Sequence, residues 1–242
     1  MGRRPKNPFS QEEVVFEPIK HTYEVVATGQ KLISVSTLVH KYCPIFDEDQ
    51  SIIKKCAARD GISVSELRKE WDFKRDSAAS RGTEFHSQAE IFINTGKVPE
   101  GIDKDILEKF SQKIKFGKKT YSEVLLYDLS AGIAGTSDVI ELLPNKKFNL
   151  FDFKTNKSIK TFAFGGKRML YPMNNYWDAN FFHYQAQLSL YSYLVEKKYG
   201  LELNKMNIFW INPKDRNVEI INVDYIKDDI IAMLDHYSSD AF

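Results

Sequence analysis

Three side chains between Gly135 and Lys154 are of the types that hold a divalent cation and polarise a phosphate: Asp138, Asp152 and Lys154. Alternate residues of a β-strand share a face, so Asp152 and Lys154 point one way while Phe153 turns into the core. Leu150, Phe151 and Phe153 mark a buried strand, where an unpaired carboxylate is costly and an acid calls for a cation. Asp138 stands fourteen positions earlier, across a Pro144-Asn145 turn, a spacing that suits a hairpin with both carboxylates at one end. Two acids offer the oxygen ligands that a hard ion such as Mg²⁺ prefers, and an adjacent ammonium completes equipment for metal-dependent phosphodiester hydrolysis. The plainer alternatives are an exposed strand-end ion pair for Asp152 and Lys154, and a turn residue for Asp138.

Further candidates sit on two helical patterns. In Arg81-Gly82-Thr83-Glu84-Phe85-His86, the imidazole is a candidate for the metal's inner shell. Glu90, one turn on, is a candidate ligand or orienter of that shell, or else a solvated helix glutamate. In HYQAQLSLYSYLVE, Gln187 and Tyr191 are also one turn apart. A buried amide needs partners, so Gln187 is expected to bond Lys154 or its strand, and Tyr191 to contact substrate backbone. After Lys154 come Lys157, Lys160, Lys167 and Arg168, interleaved with Phe162, Phe164, Tyr171, Tyr176 and Trp177. The cations would meet phosphates and the rings would stack on unpaired bases, at about 1–3 kcal/mol each.

The elements that must position these residues follow from pattern. VVFEPI, TYEVVA, a Thr28-Gly29 turn and KLISV form an N-terminal β-hairpin region. Ser36 is expected to cap a short helix that Pro44 ends, and Asp47 or Asp49 to start another running to Gly61. Ser63 and Glu66 form a capping box for VSELRKEW. A separate helix over about 76–94 presents Ala78, Gly82, Phe85, Ala89 and Phe92 to the core, with Thr83, His86 and Glu90 along another side. DKDILEKFSQKIKF makes a further, basic helix. VLLYDL, GIAGTSDVIELL, KFNLFDFKT, KMNIFWINP and NVEIINVDY read as strands, with a long apolar helix over 182–198 among them. The order predicts mixed α/β.

The chain has 242 residues, 43% hydrophobic and 28% charged, the profile of an ordinary globular domain. Residues 1–13 read as a flexible basic arm (Arg3, Arg4, Lys6) and 14–242 as a single domain with its core over about 76–225. A net charge of +1 makes any nucleic-acid partner a matter of local clustering. No window has the length of a membrane span, and MGRRPKNPFSQEE lacks a signal peptide's apolar core, so the expected location is cytoplasmic. Cys43 and Cys56 give no disulfide framework and cannot supply the four thiolates of an iron–sulfur cluster. Gly165-Gly166-Lys167 lacks the remaining residues of a phosphate-binding loop, so no ATP-driven unwinding is expected and a helicase would be a separate partner.

Gly82 to His86, Asp138, Asp152-Phe153-Lys154 and Gln187 to Tyr191, in that order, resemble the RecB-like branch of the PD-(D/E)XK nuclease superfamily, which includes phage and mitochondrial-type exonucleases. The matching region spans about 80–200. The resemblance implies an α/β fold with a restriction-endonuclease-like core: a central mixed β-sheet flanked by helices, with the N-terminal hairpin and helices as elaboration. It implies Mg²⁺ or Mn²⁺ held by His86, Asp138, Asp152 and the Phe153 carbonyl. Lys154 would position or activate the attacking water, and Gln187 and Tyr191 would brace the site. The acid before x-Lys is Asp152 in place of the more frequent glutamate, and the cysteine quartet of cluster-bearing relatives is missing. The implied activity is a metal-dependent DNA exonuclease acting on ends or single strands in recombination, replication or repair, with a single-strand-binding or annealing protein as a further partner. For a phage protein the host cytoplasm is the compartment. A structure-selective endonuclease and a catalytically silent nucleic-acid-binding subunit are the alternatives.

Overall fold

A computed structural model describes residues 7–10, 12–18, 20–44 and 50–239. Three short strands come first: β1 (Val14–Glu17), β2 (Thr22–Val25) and β3 (Lys31–Ser34). They pair antiparallel in sequence order, so the expected hairpin region is a three-stranded meander. Next come α1 (Val35–Lys41), α2 (Gln50–Asp60), α3 (Val64–Thr95) and α4 (Lys104–Lys113). The second half alternates β4 (Thr120–Asp128), β5 (Ile133–Leu142), β6 (Lys147–Lys154), α5 (Asn180–Tyr199), β7 (Glu202–Asn212), β8 (Asn217–Val223) and α6 (Lys227–Ser238).

All eight strands join one mixed sheet. β5 is its pivot. β4 pairs antiparallel along one edge of β5, while the other edge is shared: β3 runs parallel to it at Ile133 and Ala134, and β6 pairs antiparallel from Val139 onward. Between those two partners, Gly135 to Asp138 face a split in the sheet. β6 and β7 are parallel and connected through α5, and β8 closes the edge antiparallel to β7. Leu150, Ile140 and Ile208 pack with Leu188, Leu190 and Leu194 of α5 and with buried residues of α1 and α6. Phe151, Phe153 and Phe209 pack with Phe85 of α3 and Phe110 of α4. Helices thus cover both faces, the mixed α/β architecture expected from the sequence.

Several boundaries differ from expectation. The cap of α1 is Ser34, whose Oγ accepts the Thr37 N–H at 3.0 Å, and not Ser36. Asp47 and Asp49 lie outside the described residues, as do Arg3, Arg4 and Lys6. Phe9, within the expected basic arm, is buried against Tyr121 and Tyr199. The Ser63–Glu66 capping box is present, but the helix it starts continues for 32 residues and absorbs the separate helix expected over 76–94. No proline interrupts it and Gly82 alone weakens it, a cost of about 1 kcal/mol that tertiary packing offsets. Ala78 is exposed, whereas Phe85 and Ala89 are buried as the stripe predicts. α6, absent from the sequence reading, buries Ile230, Met233 and Leu234. No helix among the described residues is long and apolar enough to cross a membrane.

Candidate active site at the split in the sheet

The hairpin register places Asp138 opposite Asp152, one step beyond the paired Val139 and Phe151. Because β6 leaves β5 there, the Phe153 N–H has no strand partner on that side and donates to Asp138 Oδ2 at 2.7 Å. Phe153 itself is buried among Phe85, Phe110 and Phe209, with ring centroids 5.5–5.6 Å away. Seating Phe85 on that ring fixes the next residue of α3. His86 Nε2 lies 3.1 Å from the Phe153 carbonyl oxygen, and His86 Nδ1 lies 3.4 Å from Asp138 Oδ1. The imidazole is therefore clasped between two acceptors. Burial opposes its charge, but the Asp138 carboxylate outweighs that and raises its pKa to about 9. Burial would likewise raise Asp138, yet the facing His86 and the Lys154 ammonium hold it below the usual carboxylate range.

Asp152 is 2% exposed and its carboxylate contacts the Lys154 ammonium. Burial pushes this acid up to about 6; Lys154 opposes the shift and Asp138 adds to it. Burial also disfavours charge on Lys154, but Asp152 and Asp138 outweigh it and raise that pKa. Under the lysine lies Tyr184 of α5, its ring centroid 4.8 Å from Nζ, a cation–π contact.

The sequence reading missed Glu123. Its carboxylate joins His86 and Asp138 in a group whose donor atoms all lie within 4.8 Å of one another. Glu123 is a non-glycine residue in the left-handed region (φ 49°) inside β4, a strained conformation that recurs at functional sites. Side-chain alternation slips around it, so Tyr121 and Val124 both reach the same core. Protein crowded around its carboxyl group and the nearby Asp138 charge raise its pKa to about 7, although the residue keeps an exposed edge. Its spacing carried no signal; only strand pairing puts it across from Asp138. Tyr184 was legible in hindsight, since it lies on the helical spacing of Gln187 and Tyr191.

Other expected positions fall differently. Glu90 lies outside the three-residue donor group and accepts from Asn94 Nδ2 at 3.4 Å. Gln187 donates to the Tyr191 hydroxyl at 3.3 Å, in place of the expected bond to Lys154 or its strand. Tyr191 is 4% exposed and packs beneath β5, where a Cβ on Gly135 would lie 2.7 Å from its ring. Tyr191, with Gln187 on its hydroxyl, thus packs against the strand that carries Asp138. The segment 155–179 is fastened by buried Met169 and Met173, by Asn180 Oδ1 accepting the Lys160 N–H, and by Trp210 Nε1 donating to the Asn156 carbonyl. Lys157, Lys160, Lys167 and Arg168 are exposed on it. Arg168 covers one face of Trp177 at 3.7 Å, while Phe164 and Phe162 stand 92% and 72% exposed.

No protein-family model matches the chain, and no curated protein matches it. Among solved structures it is similar to SSO0001, with a TM-score of 0.42 and 19% identity over 86% of this chain and 75% of that one. It is also similar to a "putative exonuclease" from Eubacterium rectale, with a TM-score of 0.41 and 13% identity over 87% and 82% of the two chains.

Proposed function

We propose that this protein is a divalent-metal-dependent nuclease that hydrolyses phosphodiester bonds at DNA ends or in single strands. The observation that carries the reading is the convergence of His86, Glu123 and Asp138 on one point, beside the Asp152–Lys154 pair and the Phe153 carbonyl. This donor set is mostly carboxylate and carbonyl oxygen with one imidazole, which fits Mg²⁺ or Mn²⁺. His86, Glu123 and Asp138 would hold the ion, with Asp152 and the Phe153 carbonyl adjoining it. Bound there, the ion supplies charge neutralisation at the phosphate and Lewis-acid polarisation of its oxygens. Lys154, kept cationic by Asp152 and fixed over Tyr184, orients the attacking water and balances charge that builds on the phosphate. Gln187 and Tyr191 keep the β5 edge at the depth that the site requires.

The adjoining segment supports the choice of substrate. Phe162 and Phe164 are large apolar rings left in solvent beside four cations, a surface suited to unpaired bases and phosphates. Incubating the protein with end-labelled linear DNA, single- and double-stranded, and with single-stranded circles tests the reading. Linear substrates are expected to be degraded with Mg²⁺ or Mn²⁺, EDTA to stop the reaction, and circles to persist. Cleavage of circles would replace the exonuclease with an endonuclease. Wild-type rates in Asp138→Ala or Lys154→Ala would overturn the site.

A further inference from the structure

A second group of donors lies where the end of α1 meets the start of α5. Cys43 follows α1, Asp178 precedes α5, and His183 lies in the first turn of α5. Cys43 Sγ is 3.3 Å from His183 Nε2, and Asp178 Oδ1 is 2.9 Å from that same nitrogen. All three donor atoms lie within 4.8 Å of one another, and all three residues are half-buried.

A cysteine, a histidine and an aspartate invite a nucleophilic-triad reading, and the geometry rejects it. In a relay the carboxylate holds one ring nitrogen and the nucleophile faces the other. Here both partners reach Nε2, which offers one lone pair or one proton and can serve only one of them. A metal ion satisfies three donors gathered at a single point. Donors about 2.0–2.3 Å from a tetrahedral ion are spaced about 3.4–3.6 Å apart, so the observed distances need open by about half an ångström or less. A further imidazole is at hand: the His40 ring centroid is 5.9 Å from that of His183. His40 Nδ1 is held at 2.7 Å by the Ser36 carbonyl, the outer contact that orients metal-binding histidines.

We propose that Cys43, Asp178 and His183 form a zinc site distinct from the sheet-end group and independent of the nuclease reading. A mixed sulfur, nitrogen and oxygen set suits Zn²⁺ and is poorly matched to Mg²⁺ or Ca²⁺. The ion would fasten three segments: the end of α1, the end of the segment that begins after Lys154, and the start of α5. The Leu170 N–H, which donates to the Tyr42 carbonyl at 2.7 Å, already draws the first two together.

Titrating Co²⁺ into the metal-free full chain tests the site by absorbance. The expected result is a sulfur-to-cobalt charge-transfer band with tetrahedral ligand-field bands, saturating at one equivalent and bleached by one equivalent of Zn²⁺. The sheet-end group contains no sulfur, so Co²⁺ bound there gives no charge-transfer band. Cys56→Ser is expected to keep the band and Cys43→Ser to lose it; Asp178→Asn should weaken Zn²⁺ binding at least about tenfold. Near-UV circular dichroism of each metal-free variant separates lost ligation from lost folding. Absence of the band in the wild-type chain, or its survival in Cys43→Ser, overturns the proposal.

Discussion

The two donor groups each pair one imidazole with anionic neighbours, yet their histidines respond in opposite directions. At the sheet end, Asp138 outweighs burial and His86 is raised to about 9. At the helix corner, burial outweighs Asp178 and His183 is lowered. His86 is thus a cation between two oxygen acceptors and must give up a proton before it can ligate. His183 offers its lone pair at neutral pH. The backbones differ too. The first group is assembled from α3, β4 and β5 around a sheet split and a left-handed glutamate, whereas the second uses ordinary helix ends. Unusual main-chain geometry accompanies oxygen-rich donors in the first group, and the sulfur-containing donors need none.

The strongest way to break this comparison is to remove a charge at the sheet end. Asp138→Ala or Lys154→Ala is expected to reduce DNA cleavage by at least about 10²–10³-fold, measured as initial rate in Mn²⁺. Cys43→Ser, at the other group, should leave that rate within about twofold once its folding is verified; an equal loss in both would mean that the groups are not separate. Glu123→Gln keeps the volume and removes one anion. A weakening of Mn²⁺ binding by about 10–100-fold is expected by calorimetry, and unchanged affinity would remove Glu123 from the donor set. Phe164→Ala should weaken single-stranded DNA binding by about 1–3 kcal/mol in fluorescence anisotropy without altering Mn²⁺ affinity.

The smallest effect is a tilt in stability with pH, read by chemical denaturation in EDTA. His86 has its folded pKa raised, so the stability it contributes is complete below its ordinary 6.5 and lost as pH rises through about 9. Glu123 is raised from 4.5 to about 7, so its contribution is complete below 4.5 and lost as pH rises through 7. His86→Gln should flatten the upper window and Glu123→Gln the lower one. A slope unchanged in both variants would mean that other groups carry it.

Much of the sheet end was legible because period-two patterning and a Pro-Asn turn specify the hairpin that opposes Asp138 to Asp152. Phe153 turned into the core, as its place between two polar residues required. Glu123 was not legible. Alternation slips at that residue, and nothing local distinguishes its carboxylate from a solvated one. The unbroken course of α3 was hidden for a related reason: residues 72–80 are all exposed, so no apolar stripe joins the two halves. α6 did carry its signal, in Ile230, Met233 and Leu234 at helical spacing, but it follows a strand pattern that read as the end of the fold. The helix corner was illegible because Cys43 stands far from Asp178 and His183 along the chain, and only tertiary packing of α1 on α5 brings them together.

The unbroken helix has a mechanical consequence. At about 1.5 Å per residue, α3 is a rod roughly 48 Å long. Its front portion stands away from the sheet and carries α2, packed on Leu67 through Ile53 and Ala57. Arg81 clamps it at the fulcrum, where both guanidinium nitrogens meet the fully buried Asp103. His86 lies little more than one turn beyond that clamp. The arm and the His86 ring therefore share one uninterrupted helix, and a proline placed at Ala78 would break it between them.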